Sequence, residues 1–586
     1  MKLKKITSLL LASAMVMATL AGCGNSANTG ATNTTAPAGD STATATADDT
    51  TAASGDAMVI EIYDEAANYQ GIQEGWFAKV VKDRFNIELN IIAPQVAGEA
   101  IYQTRTTSGN LGDIVILDSV HLADCVKTGL VKDISADLPN YKNLANYTEQ
   151  ITFYNSGLEG NSGQIYGIPT EMMNTSPTSY SQDVVYSSPL LKWNLYQELG
   201  CPEMKDLEDL IDVLAQMQAA HPTNDAGDPI YGMSLWPDWD GNDNMIGIAN
   251  VVQLTTWYGE KIKGSAILNA DGKTFSKITD KDKSYYKILK FLNHAYNKGI
   301  VDPDSGTQDW NAACAKMSAG QVNLMWYSWQ VGFWNSQERL EDGSAFIFIP
   351  VADQSYYTEA DAYFGSGRAF GVGSGVDDAK YKTIMEFLDW YASPEGCTFQ
   401  HVGIEGFNYE VNADGTYTAI NTNALMDNMP VPAEYGGAGY SDGNNAINQW
   451  IVGASSVNPI TGESYAKDYW KSWKEATMTQ MKKDWAAKFG ADEPANWMKQ
   501  NNKLVISPNV AVSLVSDTPD MELARTECNK ALNDNSWKMI FAKDDAAFDA
   551  MWDDMVNTMN GVGYEELYAF DCEKYQVEVD AKNAYK

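Results

Sequence analysis

The chain has 586 residues, of which 44% are hydrophobic, 11% aromatic and 20% charged, with 77 acidic against 41 basic side chains and a formal net charge of −36. That length exceeds what one hydrophobic core usually serves and predicts at least two domains. The acidic surface repels phosphate backbones and anionic headgroups, which excludes nucleic acid and polybasic membrane docking and leaves neutral or cationic ligands open.

Residues 1–23 read as an export signal, not as structure: Lys2, Lys4 and Lys5 precede "ITSLLLASAMVMATLA", which is too short for a comfortable bilayer span. The segment ends in "LAGC", which resembles a bacterial lipobox and makes Cys23 the expected lipidation site and mature N-terminus. Two acyl chains there would give a stable membrane anchor. Residues 24–57 hold no aromatic, Lys or Arg, so they read as a solvated, disordered tether. The tether would hold the body outside the membrane but close to it.

From Met58 the pattern alternates. "MVIEIY" reads as a strand, "GIQEGWFAKVVKDRF" as a helix, and "NIELNIIA" and "GDIVIL" as strands. The helix "SVHLADCVKTG" follows and stops at Gly129. Further on come the helices "DLEDLIDVLAQMQAA" and "DKSYYKILKFLNHAYNKG", with "YGMSLW", "VNLMWY", "AFIFIP" and "RAFGVG" as strands. The alternation predicts α/β layers. "NYEVNADGTYTAIN" reads as a hairpin around Asp414-Gly415. The last third is helical, with Phe548, Met551, Trp552, Met555 and Met559 on one core-facing stripe. No internal repeat is visible. The six cysteines after Cys23 have no C-x₂-C spacing and the four histidines are isolated, so no zinc site is expected, and mostly free, buried thiols are.

Open α/β sheets bind ligands beyond the carboxyl ends of their strands, so the strand exits carry the candidate site. Glu65, Asn68 and Tyr69 follow the first strand together with Asp64, and Asp118 follows "GDIVIL". Trp236, Asp238 and Trp239 follow "YGMSL", and Trp326 and Trp329 lie in and after "VNLM". Arg368 opens an apolar strand as an ion-pair or hydroxyl-donating residue. Carboxylates and amides pair with hydroxyls while aromatic faces cover C–H surfaces, and sugars need that mixture. Trp334 reads instead as core. "GYSDG" at Gly439–Gly443 fits G-x-S-x-G but lacks the strand before a nucleophile elbow. "DWDGNDN" lacks the glycine and closing glutamate of a calcium loop. "GSGRAFG" does not match a dinucleotide fingerprint.

The lipobox and tether, with "GWFAKVVKDRFNIELNIIAP", "GNLGDIVIL", "YGMSLWPDW", "GIVDPDSGTQDW", "FLDWYASPEG" and "GIEGFNYEVNADGTY" in that order, resemble a family 1 extracellular solute-binding lipoprotein. More narrowly, they are similar to the carbohydrate-binding components of ABC importers. The resemblance implies a two-lobed periplasmic-binding-protein-like α/β fold with ligand held in an inter-lobe cleft, and a helical C-terminal region. Lobe 1 is expected over 58–176 and 366–430, and lobe 2 over 177–365 and 431–586, with crossings near Ser176, near Gly365 and around 428–436. It further implies a monomer, anchored on the extracellular face of the membrane, that captures a carbohydrate by hinge closure and delivers it to ABC permease subunits. No cofactor, metal or chemistry on the ligand is expected. A surface glycoside hydrolase, a passive adhesin, and a solute-binding protein for a peptide remain as alternatives.

Overall fold

The computed structural model describes residues 57–98, 100–240, 246–420, 428–510, 512 and 514–585. The export signal, Cys23 and the tether (but for Ala57) therefore lie outside the described residues. Residues 56–586 form one compact unit, and within it the hydrophobic side chains gather into two main cores, one for each lobe of a two-lobed α/β fold.

The first lobe is built on a six-stranded sheet in the order Gly71–Ile72, Ile87–Ile92, Met58–Asp64, Ile114–Asp118, Arg368–Val372, Ile168–Pro169. Ile87–Ile92, Met58–Asp64 and Ile114–Asp118 run parallel, whereas Arg368–Val372 returns antiparallel beside Ile114–Asp118. Buried β-branched residues on both faces explain why these runs are almost wholly apolar. One face carries Ile60, Ile62, Ile114, Ile116, Phe370 and Val372 into the larger core of this lobe, against the helices Gly75–Phe85 and Asp378–Tyr391. The other carries Tyr63, Val115, Leu117 and Ala369 against the helix Ser119–Lys127. The expected helix from Gly71 begins only at Gly75, because Gly71–Ile72 pairs with Ile87–Ile92 as an edge strand.

The "GYSDG" segment turns out to dock that helix. The Gly443 carbonyl accepts from Phe77 N at 3.0 Å, and a Cβ on Gly75 would lie 2.2 Å from Gly443 Cα, so both positions need glycine for close backbone approach. No strand leads into Ser441.

The second lobe has a small antiparallel sheet, Leu324–Tyr327, Ser187–Lys192 and Phe346–Phe348. "YGMSLW" is not a strand there. It makes isolated bridges at Tyr231–Val322 and Met233–Val301, and side chains take over part of its backbone bonding. Gly232, Leu235 and Trp236 N–H groups donate to Gln218 Oε1, Ser305 Oγ and Asn250 Oδ1. Three C-terminal helices, Pro519–Ile540, Asp545–Gly561 and Tyr564–Asn583, complete this core with Leu532, Phe548, Trp552, Met555 and Leu567. The first and third are tied together by Arg525, whose guanidinium grips both oxygens of the fully buried Asp571 (2.8 and 2.7 Å) and also Asp517 (2.7 Å). Asp571 also accepts from Ser265, which joins the helices to the 261–277 strands.

Two chain passages between the cores run side by side: Thr170 N donates to the Arg368 carbonyl and Ser366 N to the Thr170 carbonyl, both at 2.9 Å. Val431, Tyr440, Ile447, Val452 and Tyr465 still pack in the first core, and Met481 and Trp485 are the first of this stretch in the second. A loop-rich segment without helical or strand periodicity gave no sign of which core it covers. The six described cysteines are free, with Cys125, Cys397 and Cys528 buried.

Candidate ligand-binding site

In the second lobe, the aromatic residues from "SLWPDW", from the helix start at Trp310 and from "MWYSWQVGF" converge into one assembly. Trp236 and Trp326 stack face to face, 5.1 Å between centroids and 4° between planes. They are 0% and 2% exposed, so both lie beneath the surface and not on it. Trp310 leans on Trp236 (4.7 Å) and Trp239 on Trp310 (4.6 Å). Above them Trp329 is 39% exposed, within 5.7 Å of Trp310 and 6.3 Å of Trp239, and stacked on Tyr327 at 5.3 Å and 21°. Tyr186, also exposed, packs on Tyr327 and accepts from Trp329 Nε1 at 3.3 Å.

Local polar groups hold the loops that carry these rings. Gln330, buried, accepts from the Trp326 and Tyr327 N–H groups and closes the turn that presents Trp329. Asp238 accepts from Trp310 N (2.7 Å), where the helix Trp310–Ser318 begins. Asp240 accepts from Trp537 Nε1 and Ala249 N (both 2.7 Å), and burial pushes its carboxyl up to about 6. Residues 241–245 of the same loop, with Asn242, lie outside the described residues. Trp334 is packing, as expected: its ring lies between Lys192 Nζ (4.6 Å) and the Arg339 guanidinium (3.5 Å).

In the first lobe the strand exits hold charge. Register places Asp64 opposite Ile116, and Arg368 opposite Asp118, so Asp64, Asp118 and Arg368 leave three neighbouring strands on one face. Asp64 is 0% exposed; its Oδ1 accepts from Ala66 N, while its Oδ2 has no hydrogen-bond partner. Burial pushes its carboxyl up to about 7, against the opposing pull of the Arg368 charge. Arg368 Nε is buried and equally without a partner, as is Trp450 Nε1. Trp450 is adjacent by backbone: Glu171 N donates to its carbonyl at 2.7 Å, next to the Thr170–Arg368 bond.

The remaining first-lobe candidates serve local contacts. Glu65 Oε2 accepts from Asp118 N (2.8 Å), and its Oε1 lies 2.5 Å from His121 Nδ1. Asp118 caps the helix Ser119–Lys127 through His121 N. Burial, and then the neighbouring Asp118 charge, raise the Glu65 carboxyl against the pull of the Asp118 N–H bond. Among the described residues, Glu65, Asp118 and His121 are the group whose ligand atoms could together meet a cation, all within 4.8 Å of one another. Tyr69 turns back to donate to the Ile72 carbonyl (2.6 Å) and packs on the core, and Asn68 is exposed.

The structure thus brings Trp239, Trp326, Trp329, Trp236 and Asp238 into one assembly and Asp118 and Arg368 onto one sheet face, and leaves Asn68 and Tyr69 apart from these contacts. Sequence reasoning missed Tyr186 and Trp310, which belong to the aromatic assembly. It noted Asp64 at a strand exit without choosing it. Trp310 had a legible signal, a tryptophan directly after the capping Asp309; Tyr186 had none.

Three solved structures share the fold over nearly all of this chain at low identity. They are the S. pneumoniae ABC-transporter substrate-binding protein FusA in complex with kestose (TM-score 0.53, 16% identity, 90% of this chain and 100% of that one), a solute-binding protein of Bifidobacterium longum infantis described as HMO-binding (0.53, 13%, 89% and 99%), and the alginate-binding protein AlgQ2 without calcium ion (0.51, 14%, 89% and 98%). At the sequence level no curated protein matches the chain. The family model described as bacterial extracellular solute-binding protein matches residues 37–396, well over half of the 586, and the chain belongs to that family.

Proposed function

We propose that this protein captures a carbohydrate, an oligosaccharide in particular, between its lobes and hands it to the permease of an ABC importer. The observation that carries this reading is the tryptophan assembly. Trp329 stands exposed on a support of Trp239, Trp310 and the buried Trp236–Trp326 stack, a rigid apolar platform of the kind that covers the C–H face of a pyranose. The strand exits of the first lobe supply the polar half. Kestose, HMO and alginate, the sugars named for three proteins that share the fold, support the same class. Ligand touching both halves would favour a closed state over an open one. Lipidation at Cys23 and the tether would keep the closed form near the permease.

A thermal-shift screen against a panel of oligosaccharides and short peptides tests the reading. A sugar at one hundred times its Kd should add about 2.7 kcal/mol of stability, and the same sugar should shrink the radius of gyration in solution scattering. Stabilisation by peptides alone would overturn it.

A further inference from the structure

We propose that the second lobe holds a further ligand site, a cavity between the strands Ser187–Lys192 and Phe346–Phe348 and the helix Gln480–Phe489. It takes a small aromatic molecule carrying one hydrogen-bond donor, a hydroxyl or an ammonium. The inference goes beyond the carbohydrate reading and does not rest on it.

The cavity measures about 180 Å³. Leu190, Phe346, Phe348, Met481 and Trp485, all buried, form its apolar walls, and the exposed Val184 borders it. Protein interiors are close-packed, so a void of this size calls for an occupant. An apolar cavity of roughly 150 Å³ stays dry and takes up benzene, which sets the occupant's size at one ring. The walls are also pinned. Asn335 bonds both the N–H and the carbonyl of Phe346 (2.8 and 3.0 Å), and Trp485 Nε1 donates to the Phe348 carbonyl at 2.6 Å. Turn and helix are thus each fastened to the same strand, which keeps their separation and leaves the space preformed. Ser328, Val331 and Asn335 of the turn that presents Trp329 belong to the lining, and none of the tryptophans of the aromatic assembly does.

One charged group lines this apolar space without a partner. The Glu493 side chain is 9% exposed, and among the described residues its carboxyl takes no hydrogen bond and closes no ion pair. Burial raises this carboxyl against the pull of Lys482 and Lys474, and the charges of Asp183 and Asp492 raise it further. A polar group buried without a partner is costly, and a ligand group that donates to it removes that cost. The ring of such a ligand meets the apolar walls while its hydroxyl or ammonium meets Glu493. Asp492 and Lys482 line the cavity as well, so it holds two carboxylates against one ammonium and disfavours an anion.

The test measures Kd by ligand-observed NMR for benzyl alcohol, benzylamine, toluene and benzoate on wild type, Ser188→Leu, Val331→Phe, Glu493→Met and Glu493→Gln, with melting temperatures on the same samples. Benzyl alcohol or benzylamine should bind wild type about fivefold or more tighter than toluene, the worth of one hydrogen bond, and benzoate should bind weakest. Ser188 lines the cavity, so Ser188→Leu fills part of it and should weaken the tighter compound tenfold or more; Val331→Phe serves if that variant does not fold. Glu493→Met should abolish the preference over toluene. Glu493→Gln tells the two donors apart, since it keeps a partner for a hydroxyl and removes the counter-charge of an ammonium. Wild type that binds none of the four overturns the proposal. So does tightest binding of toluene or benzoate, an affinity unchanged in the folded cavity-filling variants, or a preference over toluene that survives Glu493→Met. The carbohydrate reading fails separately, when no oligosaccharide stabilises the wild type.

Discussion

The two lobes present opposite chemistries. The second offers packed tryptophan rings; Gln253 and Tyr186 accept from Trp326 and Trp329 Nε1, Gln330 and Asp238 hold the loops, and Trp236 Nε1 is buried without a partner. The first offers ionisable groups at strand ends, where Asp64 and Arg368 have unmet bonds. The aromatic half gains its strength from area and packing, and packing couples the surface ring to the core beneath it. The polar half gains specificity from groups that are costly to bury until a ligand satisfies them. On the proposed function, affinity and discrimination fall to different lobes, and substitutions should separate them.

The largest effect expected is on folding, not on binding. Trp236→Ala removes the fully buried ring under Trp310 and opposite Trp326, and should cost about 3–5 kcal/mol of stability, read as a fall in denaturant midpoint. A variant that melts like wild type but binds sugar weakly would show that Trp236 reaches the ligand after all.

The next effect belongs to the polar half and depends on pH. The Asp64 carboxyl sits at about 7 in the folded protein against 3.8 in an unperturbed chain. Between those values the folded state holds a proton that the unfolded state has released, so stability falls as pH rises through that window and levels off above about 7. Asp64→Asn lacks this dependence. The stability difference between wild type and variant should change by roughly 4 kcal/mol from pH 4 to 7.5, measured by urea titration at each pH. Asp240 in the second lobe contributes in the same direction and is common to both proteins, so it drops out of the difference. A flat difference would mean that Asp64 is charged and solvated, and that the half-sites differ less than their burial says.

The smallest effect sharpens the comparison. Trp329→Ala should weaken sugar binding by about 1–3 kcal/mol, roughly 5- to 150-fold in Kd, with little change in melting temperature, since this ring is 39% exposed. Calorimetry and melting on one preparation separate the two quantities. A stability loss as large as that of Trp236→Ala would place Trp329 in the core.

Much of this was written in local pattern. Runs such as "GDIVIL" and "MVIEIY" read as buried strands and "SYYKILKFLNHAYN" as a helix with one wet face, and the structure has them so. The strand-exit rule pointed to Arg368 and the tryptophan loops, on which the proposed function rests. Tertiary structure alone decided the rest. "YGMSLW" has the composition of a strand, but Gln218, Asn250 and Ser305 take up its N–H groups, and those lie 14 to 70 residues away. Trp236 and Trp239 look alike in "LWPDW"; only the stacking of Trp326 on one of them makes it core. The Arg368 and Trp450 carbonyls accept from the adjacent Thr170 and Glu171 N–H groups, a meeting of three chain passages that no single segment encodes. Periodicity and capping are local and survive in a sequence, whereas which polar atom stays unpaired depends on every neighbour the fold brings to it.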